Sequence, residues 1–455
     1  MSDQPAPSRL RRLATAPIFK AGLILVLILL LQLPLGAVSG LIEERQARQE
    51  EVVAGFRQNW GPGQVIRAPV LAVPYAQVAR STTAGEPATV TRGWIEIRAR
   101  RLAIAAQLAP ESRRRGLFPA IVYAATVAIE GAFELPVLEQ PGMPPIQAEW
   151  GKAVLVTQAT DLRAQKAEDT AQVDGQNVRQ TVEVTRGECG GVLLAAAGIA
   201  GNPQPGTAIA FRTALTLHGT QSLGILPDAR EARVHASAPW PAPGFTGSLL
   251  PTTYAVDADG FRADWAANGD NATAGWRFGT GRGVCLRRAA GEGDVFGVDL
   301  LEPVPTYLMV SRAAKYGTLF LALAFLTYFL FETVARARIH LAQYVLLGLS
   351  VSLFALLLVA LAEPLGFTAG YAIGTAAVMA QASLYTLSVV GSARLAAMFA
   401  GVLGALFAYL YLVLRLDSLS LLAGAVAVFA GLSAVMAVTR RLDWSGRGAV
   451  AEGTP

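Results

Sequence analysis

The stretch AGLILVLILLLQLPLGAV, Ala21 to Val38, contains no charged side chain. At 1.5 Å per helical residue it is roughly as long as the 30 Å hydrocarbon core of a bilayer, so it reads as a membrane span. Five more apolar stretches follow near the C-terminus, at about Tyr316 to Val334, Tyr344 to Ala362, Phe367 to Val390, Leu395 to Leu414 and Leu419 to Val438. Between the first stretch and the other five the chain is polar and punctuated by Gly and Pro. The expected fold is a membrane protein with six transmembrane helices, one N-terminal and five C-terminal, and a large all-β-rich periplasmic domain inserted between helices 1 and 2. Its expected segments are a basic cytoplasmic N-terminus at 1–20, helix 1 at 21–38, the periplasmic domain at 39–312, a five-helix block at 313–438 and a cytoplasmic tail at 439–455.

Composition agrees with that class. Hydrophobic residues make up 53 % of the chain and the mean hydropathy is +0.41, too apolar for an ordinary soluble protein. The formal charge of +5 does not point to nucleic acid, because much of the basic excess sits beside the apolar spans, where membrane topology accounts for it. Arg9, Arg11, Arg12 and Lys20 precede the first span, Arg336 and Arg338 follow the second, Arg394 follows the fourth, and Arg440, Arg441 and Arg447 follow the sixth. If the spans alternate, all of these lie on one side. Both termini are therefore expected in the cytoplasm and the large domain outside. Ala37, Val38 and Ser39 resemble a signal-peptidase site, but the apolar run is long for a cleaved signal, and cleavage would still leave the domain outside.

Within the domain, Leu41, Glu44, Arg45, Arg48, Val52 and Phe56 recur at helical spacing, which predicts a short amphipathic helix leaving the membrane. From Gln64 onward the pattern changes to alternating and β-branched runs at Val65 to Val73, Trp94 to Leu108, Ala120 to Phe133, Ala153 to Thr157, Val178 to Thr185, Ala208 to His218, Ala232 to Ala236 and Val284 to Arg287. Runs of that spacing write an antiparallel sandwich or barrel-like domain, with one or two subdomains left open. The tract Trp240 to Phe245 reads as a rigid aromatic turn. Cys189 and Cys285 both fall in the outward domain, where an oxidising compartment permits a disulfide; paired and free thiols both remain open.

Catalytic chemistry finds little purchase. The three histidines, His218, His235 and His340, form no metal-ligand spacing with Cys or carboxylates. No nucleophile elbow and no phosphate-binding loop is present; Gly291 to Gly297 has the wrong final spacing and reads as a turn. No cofactor is expected, and the protein is not expected to be an enzyme. Glu332, Glu363 and Asp417 lie near span ends, where interfacial anchoring explains them better than transport chemistry. Gly366, Gly370 and Gly374, with Gly401 and Gly404, suit close helix packing, and homo-oligomerisation through that face stays open.

The segment from Tyr328 to Phe367 carries a Phe-Glu span end, a loop His, Gln-Tyr, a Leu-rich span and a Glu before Gly-Phe. With TRRLDW at Thr439 to Trp444 and APVLAVPY at Ala68 to Tyr75, it resembles the CreD family of cell envelope integrity inner-membrane proteins. The chain departs from that pattern at Leu341, where the family carries Pro, and at Pro364, where it carries His. Glu332, His340, Gln343, Tyr344 and Glu363 match, and are the candidate functional or structural positions of the membrane block. The resemblance implies an inner-membrane protein of Gram-negative bacteria tied to envelope integrity and stress response. The expected partners are the lipid bilayer and a periplasmic or envelope component recognised without catalysis by the outward domain. The alternative is a transporter or export component for an amphiphilic envelope molecule.

Overall fold

The computed structural model describes residues 17–79, 89–138, 144–162, 166–167, 170–184, 191–268, 275–278, 295–302, 306–333, 339–415 and 420–439. Cys189, Cys285, the run Val284 to Arg287 and Asp417 lie outside them. Two compact units divide the chain: Met1–Arg48 with Val304–Pro455, and Gln49–Pro303.

The first unit is helical. It comprises α1 (Pro17–Leu30), the first part of α2 (Gln32–Asn59), α3 (Thr306–Thr333), α4 (Leu341–Leu365), α5 (Phe367–Val390), α6 (Ala393–Arg415) and α7 (Ser420–Thr439). Among the described residues, five helical stretches are long and apolar enough to cross a bilayer, at Gly22–Asn59, Thr306–Glu332, Leu341–Leu365, Phe367–Val390 and Ala393–Arg415; α7 is also apolar, over 20 residues. Two expected boundaries shift. The predicted short amphipathic helix is no separate element, because α2 runs unbroken from the apolar stretch to Asn59. The block begins at Thr306, ahead of residue 313, because the first turns of α3, with Arg312 and Lys315, are too polar to register as a span.

The interior of this unit is aromatic. Phe325 and Tyr328 of α3, Tyr344 and Phe354 of α4, Tyr371 of α5 and Phe399 and Phe407 of α6 are all nearly inaccessible to solvent. Leu25, Leu29, Leu33, Leu346, Leu353 and Leu384 point outward, a band that water would penalise and hydrocarbon accepts. The glycine series splits into separate tasks. Gly366 takes φ +82° in the α4–α5 turn, a conformation that disfavours a Cβ, while a Cβ at Gly370 would sit 2.7 Å from the Ala362 nitrogen.

Among the described residues, the second unit holds seventeen strands. In chain order they are β1 (Gln64–Ala79), β2 (Thr89–Arg115), β3 (Phe118–Glu134), β4 (Ile146–Ala148), β5 (Val154–Ala159) and β6 (Lys166–Ala167). Next come β7 (Thr170–Val173), β8 (Gln176–Val184), β9 (Gly191–Ala196), β10 (Ala208–Thr220), β11 (Ser222–Leu226) and β12 (Ala229–Ala238). The last are β13 (Pro243–Gly247), β14 (Thr253–Val256), β15 (Phe261–Asn268), β16 (Trp276–Phe278) and β17 (Phe296–Leu300). The Gly291 to Gly297 tract, expected to be a turn, thus ends inside β17. The aromatic turn at Trp240 to Phe245 runs into β13.

One strand organises the unit. Residues Thr89 to Arg98 of β2 pair with β1, and Ala99 to Arg115 pair with β3, so β2 passes from one sheet to the other through a register shift between Ala99 and Arg101. One sheet runs β7–β10–β3–β2–β12–β15–β14, antiparallel except for the parallel β2–β12 contact. The other gathers around β1, whose stretch Ala68 to Val73 contains no solvent-accessible apolar side chain. Strands buried on both faces write continuous apolar runs, which is why β1 was legible. Ile66, Ile97, Ile104, Val127, Leu217 and Trp265 fill one shared core. Tyr123 lies within it, its hydroxyl donating to the Ser222 carbonyl at 2.6 Å, and burial pushes its phenol far above the ordinary range.

A charged knot is buried in the same unit. Asp228, in the left-handed region at φ 37°, accepts from Arg67 Nε at 3.0 Å and Arg67 Nη2 at 2.5 Å. Arg277 reaches both Asp228, at 3.3 Å, and Glu96, at 2.8 Å, while Arg98 stands 4.0 Å from Asp228. Since Arg67 is only 7 % exposed, its charge depends on Asp228. Asp228→Ala is expected to destabilise this unit by about 3–5 kcal/mol, the usual cost of stranding a buried charge. Tryptophan fluorescence of the full-length protein during urea unfolding measures it; an unchanged midpoint would mean that water reaches Arg67.

Candidate functional site

The five family-matching positions sort into two places in the helical unit. At one end, Glu332 in the last turn of α3 forms an ion pair with Lys20 of α1, a residue 312 positions away. Lys20 also donates to the Ile339 carbonyl at 2.9 Å and lies 5.7 Å from the centre of the Tyr344 ring. The Tyr344 hydroxyl donates to the other Glu332 oxygen at 3.3 Å. His340 and Gln343 start α4: His340 Nδ1 accepts from the Ala342 N–H at 3.3 Å, and Gln343 Oε1 accepts from the His340 N–H at 2.8 Å. This reciprocal cap satisfies amide donors that a helix start would leave unpaired.

Glu363 belongs to a second cluster near the end of α4. Its side chain, 7 % exposed, accepts from the Tyr307 hydroxyl at 3.0 Å and faces Arg45 of α2 at 3.5 Å. Each cluster therefore ties the N-terminal helices to the C-terminal block. Between them, Leu31 packs on Gly348 and Leu35 on Gly317, where a Cβ would stand 2.4 Å and 3.0 Å from the leucine methyl. These residues join the helices through ion pairs, hydrogen bonds and close packing.

The β unit carries an open site. Along β2, Leu102, Ile104, Ala106 and Leu108 turn into the core, leaving Arg101, Ala103, Ala105 and Gln107 on the opposite face. The pairing registers align that face into transverse rows over β10, β3, β2, β12 and β15. One row reads Ala210, Ala132, Arg101, Glu231, Asn268. The next reads Arg212, Glu130, Ala103, Arg233, Ala266, and the third Ala214, Ala128, Ala105, His235, Asp264. Five strands at about 4.8 Å spacing make this face about 19 Å wide.

Two cavity lobes open on it, of about 910 and 640 Å³, sharing Ala103, Glu130, Arg212, Arg233 and Ala266. Gln172 and Gly175 of the β7–β8 hairpin border the larger; Thr252 and Thr253, before and at the start of β14, border the smaller. The alanine side chains keep the floor close to the backbone. Two ion pairs lie on it, Arg212 with Glu130 at 2.8 Å and Arg101 with Glu231 at 3.6 Å, and His235 Nδ1 is hydrogen-bonded to Asp264 at 2.8 Å. Arg233, exposed between Ala103 and Ala266, has no ion-pair partner among the described residues.

Sequence reasoning singled out His235 only as one of three histidines and missed the rest of this face. Strand alternation marks each position as outward, but the residues of one row come from five distant segments, which only the strand pairing brings together. Among the described residues no group of three His, Cys, Asp or Glu side chains is placed to hold a metal ion.

The sequence profile described as inner membrane protein CreD matches residues 16–445. The inner membrane protein CreD of Escherichia coli (strain K12) is 28 % identical over 424 residues, covering 92 % of this chain and 91 % of that one. Two solved structures overlap parts of the chain. An M1 zinc metallopeptidase of Deinococcus radiodurans covers 68 % of this chain and 93 % of its own, with TM-score 0.21 and 8 % identity. Native yeast LTA4 hydrolase covers 50 % of this chain and 35 % of its own, with TM-score 0.22 and 9 % identity. Scores that low carry no argument about fold or chemistry.

The two ionic clusters generate a measurable expectation. Glu332→Ala strands Lys20, and Glu363→Ala strands Arg45 and Tyr307; each is expected to cost on the order of 1–2 kcal/mol in a helical membrane protein. In a double-mutant cycle with Lys20→Ala, thermal unfolding in detergent should give a coupling of about 1 kcal/mol for Glu332 and none for Glu363. Strictly additive Lys20 and Glu332 effects would show that the pair does not tie these helices together.

Proposed function

We propose, for a chain that belongs to the CreD family of inner membrane proteins, that it supports cell-envelope integrity by binding an envelope component on the outer face of its β unit, without catalysis. The observation that carries this reading is the open five-strand face with its two lobes, a surface with the size and polarity of a recognition site. The helices serve as anchor, with six spans, both termini in the cytoplasm and the β unit in the periplasm. The distribution of Lys and Arg beside the spans supports that orientation.

A hydrolytic reading draws on one feature, the His235–Asp264 pair at the edge of the smaller lobe. A general base of that kind needs a nucleophile or an activated water within reach of the other imidazole nitrogen. The Thr253 hydroxyl beside the pair donates to Asp264 at 3.3 Å instead. An export role would draw on polar groups inside the helical unit. There Tyr328 bonds Thr386 at 2.7 Å and Ser350 bonds Gln381 at 2.9 Å, contacts that join helices.

Photo-crosslinkable residues at Ala105 and Ala128 in the full-length protein, irradiated in intact cells, test the recognition role. A recurrent adduct from both positions, absent from a control at Asp259, is expected. No adduct from either position, or full relief of an envelope-stress defect by a chain lacking the β unit, would overturn it. Orientation is read separately. With Cys189 and Cys285 replaced by serine, a cysteine at Asp259 should react in intact cells with a membrane-impermeant maleimide, and protection until the membrane is broken would reverse the topology.

A further inference from the structure

We infer that the ligand of the five-strand face is an anionic lipid, its acidic headgroup paired with Arg233 and an acyl chain lying on the alanine floor; this rests on the recognition role proposed above. The argument begins with charge. Arg101 and Arg212 are paired with Glu231 and Glu130, and Asp264 is hydrogen-bonded to His235, while Arg233 stands between two alanines with no ion-pair partner among the described residues. An exposed guanidinium at the junction of two lobes offers a bidentate donor fork suited to a phosphate or carboxylate.

The two lobes differ in character. The larger collects polar side chains, Arg101, Glu130, Gln172, Glu231 and Asn268 among them, where a polar headgroup finds donors and acceptors. The smaller extends from Arg233 over Ala103, Ala105, Ala128 and Ala266, with the Arg212–Glu130 pair, the His235–Asp264 hydrogen bond, Thr252 and Thr253 around it. Methyl side chains in adjacent rows leave a shallow apolar channel in which a flexible hydrocarbon can be removed from water, each buried CH₂ contributing favourably. One cation flanked by a polar and an apolar lobe is the complement of a molecule with one anion, a polar head and an apolar tail.

Other ligand chemistries fit less well. Sugar rings pack their C–H faces on aromatic side chains, but the aromatic rings among the lining residues are turned away: Phe211 stacks on Phe133 at 4.6 Å, and Trp265, 3 % exposed, packs against Phe296. Extended peptides bind sheets by hydrogen bonding to an edge strand. Here the middle of the floor is the face of β3, β2 and β12, whose backbone groups are already paired on both sides.

The test uses the full-length protein in detergent with two probes that share one photoreactive acyl chain, phosphatidylglycerol and phosphatidylcholine, and adducts mapped by peptide mass spectrometry. Phosphatidylglycerol is expected to label peptides containing Ala103 to Ala105 or Ala128 at least tenfold more than phosphatidylcholine does. Arg233→Gln should remove that preference, while labelling of the outward faces of α4 and α5 by either lipid stays unchanged and serves as the folding control. Ala105→Trp, which fills the channel and spares Arg233, should abolish labelling on β2 and β3. Millimolar inorganic phosphate should leave the adduct in place. Equal labelling by the two lipids, an unaltered preference in Arg233→Gln, or complete displacement by phosphate would each overturn the lipid assignment. A protein or glycan adduct from Ala105 in cells, with no lipid adduct, would overturn it while leaving the recognition role standing; absence of any adduct in cells would remove both.

Discussion

Two ion pairs join helices that lie far apart in the chain, and the helical unit is assembled around them. Lys20 and Glu332 at one end, Arg45 and Glu363 at the other, join helices separated in the chain by the whole of Gln49–Pro303. No local propensity could hold α1 and α2 against α3 and α4 over such a separation. Leu31 on Gly348 and Leu35 on Gly317 add close packing between the two pairs. Tyr344 and Tyr307, each bonded to one of the carboxylates, satisfy a second oxygen or share the first. His340 and Gln343 define where α4 begins.

The β unit meets a different constraint, since the strands of two sheets must bury one shared core while one face stays open. The answer lies in β2, which leaves one sheet at the Ala99 to Arg101 shift and continues into the other. Its first half helps to bury β1; its second half is the middle of the exposed five-strand face. The knot of Arg67, Glu96, Arg98, Asp228 and Arg277 ties β1, β2, β16 and the β11–β12 turn together near that passage. The shared core and the open five-strand face therefore use opposite faces of the same strand: leucine and isoleucine inward, alanine and arginine outward.

Sequence alone determined the class of each half. Hydropathy located the apolar helices, with α5 matching its expected limits from Phe367 to Val390, because charge-free runs of that length have few other solutions. Alternation located β2, β3, β10 and β12. It passed over β11, β15 and β17, five to eight residues each, whose pattern is too short to stand out from a Gly-rich background. The residues Glu332, His340, Gln343, Tyr344 and Glu363 stood out by resemblance, but not their division into two clusters or the identity of Lys20 and Arg45 as partners. Tertiary structure decided those pairings, and it decided the row in which Arg233 stands between Ala103 and Ala266. The physical reason is the same in both cases. Burial and span length are properties of a contiguous segment and can be summed along the chain, whereas a charge is satisfied or left unpaired by neighbours brought close through register and packing, however far away they lie in sequence.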